Sequence, residues 1–193
     1  GSEGWIQATV RAVRELARPG VEFLCSTEPL QWDLATYLAG LSGVPVRLIM
    51  KHGGDACDTG EYERLKTGFG LDDRHTTPMY LAAESVSARH HPKDLWQERD
   101  RAAVGAADEI YPVSLRPHGR LDSLLGEPAY RGKVRNDFRV PWSPNNFIPR
   151  YSLDGRSWRK LPDGEWLVHW TRSNSGKWPG ERDADFFRDL LAD

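Results

Sequence analysis

Cys25 and Cys57 are the only cysteines in the chain, and they stand in unlike contexts. Two such thiols build neither a disulfide framework nor a multi-cysteine zinc site, so a reducing cytoplasm is the expected compartment. No apolar run approaches the ~20 residues that span a bilayer, and no secretory signal pattern is visible. Gly1-Ser2 is the pattern left by tag removal, so the natural N-terminus is expected elsewhere. Charge of one sign is lacking too: 26 Lys and Arg face 28 Asp and Glu, for a net charge of −2. That balance gives no global pull toward nucleic acid or an anionic membrane, although a local basic pocket stays open. The chain has no G-x-G-x-x-G fingerprint, no H-E-x-x-H, no internal repeat and no low-complexity run.

What is present is enough for one sizeable domain: 193 residues, 39% hydrophobic and 28% charged. This composition excludes a disordered chain. Eight tryptophans are many for this length, and five of them lie between Trp142 and Trp178. The last third is therefore expected to be built differently, as a Trp-rich extension over 141–193 packed on a main domain over 3–140.

Hydrophobic spacing places helices and strands in alternation. Trp5, Ile6, Val10, Val13 and Leu16 recur at helical spacing until Pro19-Gly20 stops them. Residues 21–25 read as a short buried strand. In 29–42, Leu30, Leu34, Tyr37, Leu38 and Leu41 form the apolar stripe of a helix that Gly43 closes. Residues 44–50 read as the next strand, which completes the βαβ unit of a parallel sheet. Beyond it the pattern predicts a loop over 51–60, a helix over 62–68, a strand over 78–83 and a helix over 93–107. A strand over 109–115 follows, placed at an edge or bulge because Pro112 cannot donate to a ladder. A short helix over 119–125, a strand over 134–140, a strand over 166–170 and a helix over 184–192 complete the series. The fold class implied is α/β, an open and mostly parallel sheet flanked by helices. In such sheets ligands bind at the carboxyl ends of the strands.

Four groups of residues fall where that rule points. Ser26 and Thr27 join a strand to a helix, where free N–H groups and a partial positive charge suit phosphate or carboxylate. The plainer reading of the same residues is helix capping beside a structural cysteine. Arg99 and Asp100 interrupt the stripe Leu95, Trp96, Ala102, Ala103, Ala106 and Ala107, so they face inward and need a partner or a cavity. Either they and Arg101 meet a ligand, with Asp100 as an acid–base candidate, or they form an internal salt bridge. Ser114, Arg116, His118, Gly119 and Arg120 run from a strand end into a short helix. There arginines can grip an anion and glycine permits close backbone approach. The fourth group is Trp-rich. His169 and Glu181 are candidate acid–base groups, Arg172 an anion ligand and Trp178 a stacking platform; the plainer reading is a packed lid. His52, Asp55, Cys57, Asp58 and His90-His91 do not form a recognised metal-ligand pattern. No metal and no cofactor is expected.

The run E-R-D-R-A-A-V-G-A-A-D-E from Glu98 to Glu109, followed by a strand and a glycine-containing turn opening a helix, resembles the SLOG superfamily. That Rossmann-like group includes the SMF/DprA DNA-processing proteins and the LOG-type phosphoribohydrolases. The resemblance covers about residues 21–125. It implies a Rossmann-like sheet with a nucleotide-derived or nucleic-acid ligand at its carboxyl edge. LOG-type enzymes carry P-G-G-x-G-T-x-x-E here; Arg116 to Asp122 keeps one glycine and no matching glutamate. The expected function is thus binding of a nucleotide or sugar phosphate, with hydrolysis or transfer at an N-glycosidic bond. The alternatives are a non-catalytic sensor of such a ligand and single-stranded nucleic-acid binding. The expected partner is a small anionic ligand and not a membrane; nucleic acid is not favoured, and a homodimer is compatible.

Overall fold

A computed structural model describes residues 4–26, 30–50, 56–81, 92–142, 159–160, 166–167, 188 and 191–192. Helix α1 (Gly4–Leu16) buries Trp5, Ile6, Val10 and Val13 on the predicted face. The chain then turns through Gly20 at φ +87° into strand β1 (Phe23–Cys25). Helix α2 (Leu30–Leu41) presses Leu34, Tyr37 and Leu38 inward and ends before Gly43, whose φ of +72° only glycine adopts freely.

Strand β2 (Val46–Met50) is buried on both faces, as the middle strand of a covered parallel sheet must be. It pairs in parallel with β1, Phe23 opposite Val46, and with β3 (Thr76–Tyr80), Val46 opposite Thr76. The order is β1-β2-β3. The intervening helix α3 (Ala56–Phe69) begins inside the segment expected to be a loop over 51–60. Strand pleating divides β2 between two cores. Val46, Leu48 and Met50 meet α1, α2 and α3, whereas Ile49 meets Ala103 on helix α4 (Pro92–Ala106). The result is an open α/β sheet with helices on both faces.

Beyond α4 the structure departs from the expected strands. Neither 109–115 nor 134–140 forms a strand; one isolated parallel bridge joins Ile110 to Val134. Ile110 N–H donates to Lys133 O at 2.9 Å, Arg135 N–H to Ile110 O at 2.8 Å and Val140 N–H to Val113 O at 2.8 Å. Pro112 has no N–H and lies between these bonds, which interrupts a regular ladder. Two short helices follow, α5 (Arg120–Leu125) and α6 (Pro128–Arg131), the second unanticipated. Side chains replace ladder bonds here. Lys133 Nζ donates to the carbonyls of Gly105 at 3.0 Å and Ala107 at 2.7 Å, at the end of α4.

Strand β5 (Trp166–Leu167) pairs antiparallel with β4 (Arg159–Lys160). Arg188, Leu191 and Ala192 are helical, and Leu191 packs against the main core. Among the described residues no helix is long and apolar enough to cross a membrane.

Candidate ligand site at the carboxyl edge of the sheet

Helix α4 carries two buried charges side by side. Arg99 is 1% exposed and Asp100 3% exposed, so the inward orientation predicted from their spacing holds. Other parts of the predicted stripe differ: Ala106 is exposed, and Val104 is buried in its stead. Arg99 donates to Asp100 Oδ1 through Nε at 3.2 Å and Nη2 at 2.9 Å. Arg120, the first residue of α5, donates from Nη2 to Asp100 Oδ2 at 2.7 Å. Both carboxylate oxygens are thus held by guanidinium groups, a charge-assisted arrangement that stabilises the buried charge. The guanidinium of Arg99 also lies 5.6 Å from the ring centroid of Trp32, a cation–π contact. Trp32 stands in the first turn of α2, just beyond the carboxyl end of β1. It therefore places the Arg99–Asp100–Arg120 chain at the edge where a ligand was expected. Nothing in the sequence singled out Trp32, because its partner is 67 positions away in the chain.

That chain has the geometry of an internal salt bridge, the plainer of the two readings given for Arg99 and Asp100. Asp100 is held on both oxygens, Oδ1 by Arg99 and Oδ2 by Arg120. Arg101 departs from the site: it is half exposed and pairs with Glu127 at 3.1 Å.

The turn before α5 presents a different chemistry. Arg116 is exposed, lies 6.0 Å from the ring centroid of Trp142, and has no ion pair among the described residues. His118 holds φ at +58°, a conformation seldom adopted by residues other than glycine, and its N–H donates to Asp122 Oδ2 at 3.0 Å. Arg139 Nη2 approaches the other oxygen of Asp122 at 3.5 Å. Gly119 is required for a reason internal to the turn. A Cβ there would stand 2.8 Å from the carbonyl oxygen of Arg116, the group to which Gly119 N–H donates at 2.9 Å. The glycine thus lets the loop approach itself closely.

Ser26 is fully buried, and its hydroxyl donates to Ile49 O at 3.2 Å while Thr36 donates to its carbonyl. Its side chain is thus committed to joining β1 and β2. Burial pushes the neighbouring Cys25 thiol up from its ordinary 9.0 to about 12, against a smaller lowering by Thr36. Such a thiol is inert at neutral pH. Thr27, His169, Arg172, Trp178 and Glu181 lie outside the described residues, as do His52, Asp55 and His90-His91. Among the described residues no cluster of three His, Cys, Asp or Glu side chains could hold a metal ion.

Between β1 and the 109–115 segment lies a cavity of about 690 Å³, within the ~300–1,000 Å³ usual for small-molecule sites. Leu24, Trp32, Ala103, Val113 and Leu121 supply apolar lining, while Arg18, Glu22, Arg47, Asp108 and Glu109 give it a charged part. The Ser114 hydroxyl is buried and has no hydrogen-bond partner among the described residues. The cavity owes its existence to the missing ladder, which Pro112 betrays in the sequence only as an edge or bulge. No protein-family model, curated protein or solved structure matches the chain.

Proposed function

We propose that the domain is a Rossmann-like binding module for a nucleotide or sugar phosphate, of the kind that the SLOG resemblance implies. The 109–115 segment stands beside β1 where a further parallel strand would be placed. The site would then open at the carboxyl edge, where such sheets take their ligands. The observation that carries this reading is Arg116: an exposed guanidinium with no ion pair among the described residues, stacked near Trp142 and following directly on a segment that lines the cavity. An arginine so placed suits a phosphate, and an adjacent aromatic suits a sugar or base. Arg120, 40% exposed, can add a second donor without releasing Asp100.

Binding without turnover is favoured over hydrolysis at an N-glycosidic bond, because both oxygens of Asp100 are already engaged by arginines. Titration of the full chain with a panel of nucleotides and sugar phosphates tests the reading. Micromolar to millimolar binding, with ligand mass unchanged after incubation, is expected. Absence of binding across the panel would overturn it, and release of free base would restore the hydrolase. Binding of oligonucleotides in preference to mononucleotides would favour a single-stranded nucleic-acid function instead.

A further inference from the structure

Two stretches of backbone line opposite sides of the cavity beside β1, residues 20–24 and residues 106–115. In a parallel ladder each strand alternates the side to which a residue's N–H and C=O point. Phe23 N–H donates to Pro45 O at 2.9 Å, so Phe23 and Cys25 direct their backbone groups to β2. Leu24, between them, directs its N–H and C=O to the other edge, where β1 has no strand neighbour among the described residues. The facing segment makes its bonds elsewhere: Ile110 exchanges them with Lys133 and Arg135, and Val113 O accepts from Val140 N–H. Among the described residues no backbone hydrogen bond crosses from 20–24 to 106–115. An open strand edge of this kind is a template for an added strand.

The lining is of two kinds, and each restricts what strand fits. A strand laid along β1 turns alternate side chains to the two faces of the sheet. Trp5 lines the cavity from the core that Phe23 joins, and Trp32 and Ala103 line it from the core that Leu24 joins. Side chains on both faces of an added strand therefore meet apolar neighbours, which calls for a continuous apolar run. The charged lining belongs to the beginning of each wall. Arg18 and Glu22 precede β1, Asp108 and Glu109 open the facing segment, and Arg47 reaches Glu22 at 2.6 Å. The two beginnings lie near each other, since Tyr111, Arg135 and Arg18 together hold the Glu109 carboxyl below its ordinary range. Three carboxylates stand in this lining against two guanidinium groups. Glu22 pairs with Arg47 and Glu109 with Arg135, whereas Asp108 is exposed and has no ion pair among the described residues.

We propose that the slot between β1 and the 109–115 segment receives an extended segment of a partner protein as an added strand, an apolar run led by a lysine or arginine. Its backbone pairs with the N–H and C=O of Leu24, its apolar side chains enter the two faces, and its basic residue meets Asp108. With the basic residue first, the added strand runs parallel to β1. A segment led by glutamate would bring a fourth carboxylate to the same end. The proposal goes beyond the nucleotide reading and requires neither Arg116 nor a phosphate.

Amide spectra of the full chain test this with a short amidated peptide, one lysine followed by valines and isoleucines. In the free chain the Leu24 amide is expected to exchange faster than that of Phe23. The peptide is expected to shift the Leu24 amide and to slow its exchange at least tenfold. Methylating alternate amide nitrogens of the peptide is expected to weaken binding at least tenfold in one register and far less in the other, because a strand pairs with one neighbour through every second residue. Glutamate in place of the lysine is expected to weaken binding at least fivefold, and Asp108→Asn to remove that preference. Equal binding of the two methylated peptides would mean apolar contact without strand pairing and would overturn the proposal. So would a Leu24 amide already protected in the free chain, since the edge is then filled by the chain itself or by a second copy. Equal affinity of the lysine-led and glutamate-led peptides would overturn the choice of partner. None of these outcomes bears on nucleotide binding at Arg116, which the titration above decides.

Discussion

Two halves of this chain reach order by different means. From β1 to β3 backbone hydrogen bonds do the joining: three strands in parallel register, with Val46, Leu48, Ile49 and Met50 buried. From Asp108 to Val140 one isolated bridge stands where strands were expected, and charged side chains do the joining. Arg120 reaches Asp100, Arg101 reaches Glu127, Arg135 reaches Glu109, and Lys133 seals the end of α4. A ladder distributes its bonds over many residues, so no single side chain decides it. A set of ion pairs concentrates the same task in a few groups, and most of these are half exposed and salt-screened. The exception is Asp100, and the second half depends on it most.

The largest effect should come from breaking that exception. Asp100→Ala removes the carboxylate between two guanidinium groups and should cost about 3–5 kcal/mol in urea unfolding. Amide exchange should quicken first over 109–142, with β2 protected longest. A uniform loss of protection across both halves would show that they are not separable.

Lys133→Met comes next. It strips the ammonium from the carbonyls of Gly105 and Ala107 and should cost about 2 kcal/mol. An unchanged denaturation midpoint would show that water caps α4 equally well.

The first half offers a pH test through Cys25. An unfolded thiol releases its proton above its ordinary 9.0, whereas the folded one keeps it to about 12. This contribution is intact below pH 9 and is lost as pH rises toward 12. The loss should approach ~1.4 kcal/mol per pH unit in that window. Cys25→Ala should give a flatter alkaline limb, and parallel limbs for the two proteins would refute the assignment.

Gly119→Ala forces the turn away from the Arg116 carbonyl and should cost roughly 1–2 kcal/mol, with weaker anion binding. Smallest in stability, and most telling for function, is Arg116→Ala. It should change stability by no more than about 0.5 kcal/mol, yet reduce nucleotide affinity at least tenfold in calorimetry. Equal affinity in both proteins would remove Arg116 from the site.

Much of the first half was legible in the sequence because local patterns and tertiary packing agree there. The stripe through Leu34, Tyr37 and Leu38, and Gly43 beyond it, specify α2 and its end whatever lies around them. The apolar run of β2 likewise demands cover on both faces. The inward direction of Arg99 and Asp100 was legible for the same reason, since helical periodicity fixes direction without naming a partner. In the second half apolar β-type residues at 109–115 and 134–140 suggested strands, and Pro112 with its altered pairing denied them.

The carboxyl edge of the sheet as the place for a ligand is an expectation that the sequence carries by strand–helix alternation. The arrangement of that edge was a decision of the tertiary structure. Only folding could bring Trp32 to Arg99 and Arg120 to Asp100, because those contacts join segments that no local period relates. Only folding could show that Ser26 turns inward and that Gly119 serves its own turn. Sequence fixes direction and periodicity within an element; which groups remain unsatisfied after elements pack is a property of the whole chain.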